Sequence, residues 1–126
     1  MAVMLGNFQV VATIPVTDLE RARAFYAETL GLRATDATPF SVRFVCGGGS
    51  ELSIFKRGPS KADHTVAHFE VDDIEGTVAG LRAKGVTFLE YETPKTVNFI
   101  AELGPARGAW LKDPDGNILG LRQAKR

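Results

Sequence analysis

At 126 residues the chain fits one domain with a real hydrophobic core, and its apolar (44%) and charged (24%) fractions are those of an ordinary globular protein. A formal net charge of zero gives no pull toward nucleic acid or an anionic membrane surface, so neither is an expected partner. The single cysteine, Cys46, excludes an internal disulfide. No apolar run nears the roughly 18 residues of a membrane span, and residues 1–7 lack a secretory pattern, so a cytoplasmic location is expected.

Residues 8–16 are rich in β-branched side chains and read as a strand, ended by Pro15 and Thr17. Asp18 is placed to cap a helix, with Glu20 in its first turn where the helix dipole favours negative charge. Leu19, Ala22, Phe25, Tyr26 and Leu30 recur at helical spacing, and Gly31 is a stop. Two strand-like runs follow, 40–46 and 51–55, joined by Gly47-Gly48-Gly49-Ser50. Those glycines read as a hairpin connection. No helix start or Lys-Ser/Thr pair follows them, as a phosphate-cradling loop requires.

A polar Gly/Pro stretch, 58–63, has the length of a short linker, and after it the pattern restarts. Residues 65–71 read as a strand, Asp72-Asp73 with Glu75 as a helix start, and Ile74, Val78 and Leu81 as its apolar stripe, ended by Gly85. Strands are expected at 86–91, 106–111 and 118–122. The connection 92–105 carries Val97, Phe99 and Ile100, too apolar for a bare loop, so it should pack over something. Asp18-Leu19-Glu20 and Asp73-Ile74-Glu75 mark a repeat of 55 residues. Strand, helix and strands, twice over, predict an α+β domain spanning 1–126. Its modules run from about 7 to 57 and 64 to 123, with helices covering one face of each antiparallel-rich sheet.

The run Ala109-Trp110-Leu111-Lys112-Asp113-Pro114-Asp115-Gly116-Asn117-Ile118-Leu119-Gly120-Leu121 reads as a closing β-hairpin around Asp-Pro-Asp-Gly-Asn turn chemistry. This run, with residues 11–32 and 69–85, resembles the vicinal oxygen chelate superfamily of glyoxalase I, bleomycin-resistance proteins and extradiol dioxygenases. The resemblance implies two βαβββ modules whose concave faces enclose a ligand cleft, commonly in a homodimer. It also implies a divalent ion held by four side chains, two per module. Carried over one at a time, those positions fall on Val11, Ser53, Val66 and Gly120. None keeps a good metal donor, so no metal and no cofactor are expected.

His64, His68 and Glu51 are the nearby substitutes. Strict alternation puts His64, Val66 and His68 on one face, but His64 and His68 would stand about 13 Å apart, too far to share an ion. Without metal, the cleft would be lined by Gln9, Val11, Thr13, Glu51, Ser53, Val66, His68, Ile118 and Gly120, mostly apolar with a few polar groups. Phe44 and Trp110 are further ligand-binding candidates, because a one-residue slip in strand phase would decide which face each presents. Cys46 reads as a small buried residue. Glu51 and His68 are the candidate catalytic acid–base pair.

Three functions compete. The missing ligands favour a metal-free, small-molecule-binding protein of the bleomycin-resistance kind. The alternative is a lyase, isomerase or dioxygenase with an atypical metal site or metal-free acid–base chemistry. A purely structural association module is the third.

Overall fold

The computed structural model describes residues 4–59 and 63–125. The chain divides into two compact units, Met1–Gly58 and Pro59–Arg126, and the expected linker at 58–63 lies partly outside the described residues. Among those residues no helix is long and apolar enough to cross a membrane.

The first unit opens with a 3-10 turn, Leu5–Asn7, followed by β1 (Val11–Val16), α1 (Leu19–Ala24) and a π turn (Phe25–Thr29). Then come β2 (Arg33–Ala37), β3 (Ser41–Val45), a 3-10 turn (Gly47–Gly49) and β4 (Glu51–Lys56). The sheet order is β1-β4-β3-β2, with β1 parallel to β4 and the other pairs antiparallel. Asp18 caps α1, its carboxylate accepting from Arg21 N–H at 3.1 Å. Ile14, Val16, Val42, Phe44, Leu52 and Ile54 are buried on the sheet face that α1 covers, together with Ala22 and Tyr26.

Three details of the first unit differ from the sequence reading, and a fourth agrees with it. The first strand starts at Val11, not residue 8, because its ladder begins where Glu51 becomes available as a partner. The helical periodicity to Leu30 holds only with a change of winding: Leu30 N–H donates to Phe25 O, one residue beyond the α pattern. The sequence reading omitted β2, whose Arg-Ala-Thr-Asp-Ala has no apolar alternation; it is a strand because β3 pairs with it. Gly47–Gly49 does form a hairpin connection, in which Gly48 and Gly49 take φ of 65° and 79°.

The second unit repeats the plan as β5 (Thr65–Glu70), α2 (Ile74–Ala83) and β6 (Thr87–Phe88). It continues through β7 (Thr96–Val97), β8 (Ile100–Glu102), β9 (Ala106–Lys112) and β10 (Ile118–Ala124). Its order is β5-β10-β9-β8-β7, with β6 also on β9; β5 runs parallel to β10. Asp73 caps α2 by accepting from Gly76 N–H at 3.0 Å, and Gln123 Oε1 accepts from Ile74 N–H at 2.7 Å. Ile74, Val78, Phe88, Ala109, Leu111, Leu119 and Leu121 form the core beneath α2.

The 92–105 connection is the β7–β8 hairpin with its flanks. Phe99 does pack, 6.3 Å from the Phe88 ring and under the Arg82 guanidinium at 4.2 Å. Ala101 is fully buried, whereas Val97 is exposed, contrary to expectation. The closing turn has the expected chemistry. Asp113 Oδ1 accepts from the N–H groups of Asp115 and Asn117 at 2.9 and 2.8 Å, and Oδ2 accepts from Asn117 Nδ2 at 2.8 Å. Gly116 supplies the φ of 84° that this turn requires.

The molecule is therefore α+β, built from two βαβββ modules, each with a helix on one sheet face. The opposite, open faces carry the side chains available for chemistry.

Candidate functional site

In the first module, lateral pairing decides what shares the open face. Thr13 pairs with Ser53, and Ser53 with Arg43, so these three stand in one row across β1, β4 and β3. The next row is Val11, Glu51 and Val45. Gln9 Nε2 donates both to Gly49 O, at 3.0 Å, and to Glu51 Oε2. On its other side Glu51 meets Arg43 Nε at 3.7 Å, and only 18% of the Glu51 side chain is exposed. Glu51 is thus a held, partnered carboxylate. Cys46 lies nearby, half-buried, and burial, followed by the Glu51 charge, pushes its thiol pKa up. That opposes formation of a nucleophilic thiolate.

In the second module the corresponding row is His68, Gly120 and Trp110, across β5, β10 and β9. The Trp110 ring meets Tyr91 edge-to-face at 5.2 Å. One step along lie Glu70 and Arg122, also paired in register. His68 Nε2 and Glu70 Oε2 are 2.6 Å apart, and Arg122 Nη1 donates to Glu70 Oε1 at 2.7 Å. These two hydrogen bonds, His68 first and then Arg122, hold the Glu70 carboxyl below the usual glutamate range. The trio is a carboxylate clamped by an imidazole and a guanidinium.

The sequence candidates fall out as follows. Val11, Thr13, Glu51 and Ser53 share the open face of the first module, and His68, Trp110 and Gly120 share that of the second. Phe44 does not join them. It is fully buried on the helix side, its ring 6.0 Å from that of Tyr26, so it is a core residue and not a ligand wall. Strict alternation also fails in β5. A register shift sets Thr65 opposite Ile118 and Ala67 opposite Leu119, leaving Val66 at the irregularity without a register partner. His64 precedes the strand and sits beside Asp63 at 3.7 Å.

Gly120 is not an opening in the face. A Cβ there would lie 3.1 Å from His68 Cβ and 3.3 Å from Thr65 Cγ2, because the shift brings β5 close.

Sequence reasoning missed Arg43, Glu70, Arg122 and Tyr91. His68 and Glu70 were findable, two residues apart and therefore on one face. Arg122, 52 positions from Glu70, needed the strand pairing. A surface cavity of about 440 Å³ lies elsewhere in the second module, lined by Glu75, Lys95, Val97, Asn98, Ile100, Glu102 and Arg107; the Arg107–Glu75 ion pair borders it.

A divalent ion does not fit the donors present. Val11 and Val66 are apolar, Ser53 is a weak neutral ligand, and Gly120 has no side chain to donate, with a Cβ there crowding His68 and Thr65. Glu51 is engaged by Gln9 and Arg43, and His68 by Glu70. Among the described residues no group of three or more His, Cys, Asp or Glu side chains is placed to hold a metal.

Comparison with known proteins agrees with this architecture. Human mitochondrial methylmalonyl-CoA epimerase is 32% identical over 139 aligned positions, covering 95% of this chain and 75% of the epimerase. The crystal structure of TnmS3, an antibiotic binding protein from Streptomyces sp. CB03234, superposes with a TM-score of 0.74 at 26% identity over 99% of both chains. Lactoylglutathione lyase from Agrobacterium tumefaciens shares the fold, with a TM-score of 0.72 at 19% identity over 92% of each chain. Residues 8–121 match the Glyoxalase/Bleomycin resistance protein/Dioxygenase superfamily, and the chain belongs to it.

Proposed function

We propose that this protein binds a small organic molecule on its open sheet faces without the help of a metal ion. One observation carries the reading: the four positions where family enzymes place ligands hold Val11, Ser53, Val66 and Gly120, and the last is closed in by His68 and Thr65. What those faces offer is a set of oriented polar groups, Thr13, Ser53, Arg43, Glu51 and the His68–Glu70–Arg122 trio, beside the apolar Val11, Val45 and Trp110. The likeness to an antibiotic binding protein supports it. We take residues 1–126 as one functional domain, acting in the cytoplasm as a homodimer, with neither nucleic acid nor membrane as partner.

The test pairs elemental analysis of purified protein with a thermal-shift screen of small molecules that includes antibiotics. The expected outcome is less than stoichiometric metal together with at least one stabilising compound. About one zinc, nickel, manganese or iron per chain would overturn the metal-free reading.

A second reading has its own support. The 32% identical relative is an epimerase, and His68 against Glu70 is an imidazole oriented by a carboxylate, as proton transfer requires. On that reading His68 moves a proton and Glu70 positions the ring. Deuterium incorporation into methylmalonyl-CoA in heavy water, lost in His68→Ala, would establish it; no incorporation leaves the binding reading standing alone.

A further inference from the structure

We propose that the ligand of this protein carries an anionic oxygen group, a carboxylate or a phosphate, which the first module's open face takes up through Arg43, Ser53 and Thr13. This inference rests on the small-molecule reading and names the chemistry that such a molecule must present.

The three side chains form the row set by the pairings Thr13 with Ser53 and Ser53 with Arg43. Neighbouring strands lie about 4.8 Å apart, so the row brings two hydroxyls and a guanidinium within about 10 Å on one face. Among the described residues, no hydrogen bond engages Thr13 Oγ1, Ser53 Oγ or either Nη of Arg43. Arg43 is held only at Nε, by Glu51 at 3.7 Å, and Gln9 shares that carboxylate. Glu51 therefore makes an ion-pair contact with the Nε side of a half-exposed guanidinium and leaves the paired Nη donors available.

Those donors match two oxygens of a carboxylate or phosphate, and a point charge such as lysine would not match them in the same way. Ser53 in the middle of the row donates one further hydrogen bond, and Thr13 another. Asp36 pairs with Arg43 on the far strand and Arg33 with Val45, so one carboxylate and one further guanidinium border the row, and the preference for an anion has to come from the directed donors of Arg43, Ser53 and Thr13.

The experiment is a two-dimensional amide NMR titration with 2-naphthoate, 2-naphthyl phosphate and neutral 2-naphthamide, on wild type, Arg43→Gln, Arg43→Lys and Ser53→Ala. The acids should bind about tenfold more tightly than the amide, the scale of a charge-assisted hydrogen bond. Amide shifts should centre on residues 13, 43 and 53. Arg43→Gln should erase the preference, and Arg43→Lys should keep part of it. Ser53→Ala should weaken only the acids. Whichever acid binds better identifies carboxylate or phosphate as the group.

Equal binding of acid and amide, an unchanged preference in a folded Arg43→Gln variant, or shifts confined to the second module would overturn the inference and leave small-molecule binding intact. If none of the three probes binds at millimolar concentration, the inference falls together with the reading beneath it.

Discussion

Asp113→Ala should be among the most destabilising single changes in the second module, although the residue sits in a turn. Asp113 is 5% exposed and Asn117 is 3% exposed, so the hydrogen bonds between them are made away from water. The carboxylate accepts three: from Asp115 N–H at 2.9 Å, and from Asn117 N–H and Nδ2 both at 2.8 Å. Hydrogen bonds to a charged acceptor contribute about 1.5–3 kcal/mol each, and donors left buried cost about 1–3 kcal/mol. The backbone bonds Asp113 N–H to Asn117 O and Gly116 N–H to Asp113 O survive the truncation. A loss of about 3–5 kcal/mol is expected, and about 1–2 kcal/mol for Asp113→Asn, which keeps one acceptor oxygen but turns an amide toward Asn117 Nδ2. Urea unfolding followed by circular dichroism gives both numbers from the shift in midpoint. A loss under 1 kcal/mol in the alanine variant, or equal losses in the two, would refute the claim that this carboxylate organises the hairpin.

Four further outcomes are expected. Phe44→Ala should cost about 3–5 kcal/mol in the same assay, since the ring is fully buried against Tyr26; a near-neutral result would return Phe44 to the ligand face. Gly120→Ala should cost about 1–3 kcal/mol because its Cβ crowds His68 Cβ and Thr65 Cγ2, and a stabilised variant would show that β5 yields freely there. Cys46 should react with iodoacetamide more slowly than free cysteine at pH 8, its thiol being pushed up by burial and Glu51; an equal or faster rate contradicts that. Glu70 titrates lower in the folded state than in the unfolded chain, so the clamp stabilises the fold above the unfolded value. That contribution should fade as pH falls through the folded one, and Glu70→Gln should flatten the acid limb of the stability profile below about pH 4.5.

The features legible in the sequence are those whose cause is local. Asp18 and Asp73 cap their helices because a short acceptor there reaches an N–H three residues on. Asp-Pro-Asp-Gly-Asn turns because each residue type suits its φ or supplies an acceptor. What stayed hidden depends on partners distant in sequence. Whether Phe44 faces helix or solvent is a one-residue phase that β3 alone does not reveal; Leu52 and Ala34 on the flanking strands fix it. The polar β2 exists because β3 lies beside it. The irregularity at Val66 comes from β10 and moves Thr65 to the place strict alternation gave to Val66. Arg122 joins His68 and Glu70 only after β5 and β10 pair, so the sequence nominated Glu51 as the carboxylate for His68 while the second module supplies Glu70.

The internal repeat separates what burial dictates from what it leaves open. Thr13 and His68 each lie five residues before the capping aspartate of their module, and each heads a three-strand row. One residue further along, on the helix side, the rows read Ile14, Ile54 and Val42 in one module and Phe69, Leu121 and Ala109 in the other. All six are apolar, because a helix covers both faces and an unpaired polar group there would cost several kcal/mol. On the open side the same geometry carries Thr13, Ser53 and Arg43 in one copy and His68, Gly120 and Trp110 in the other. Those rows share no side-chain chemistry, so whatever the protein recognises is encoded where packing exerts least control. The metal positions obey the same symmetry: Val11 matches Val66 and Ser53 matches Gly120. Restoring a carboxylate at position 120 would therefore supply one donor to a frame that lacks the other three, and would have to displace His68 and Thr65 to do so.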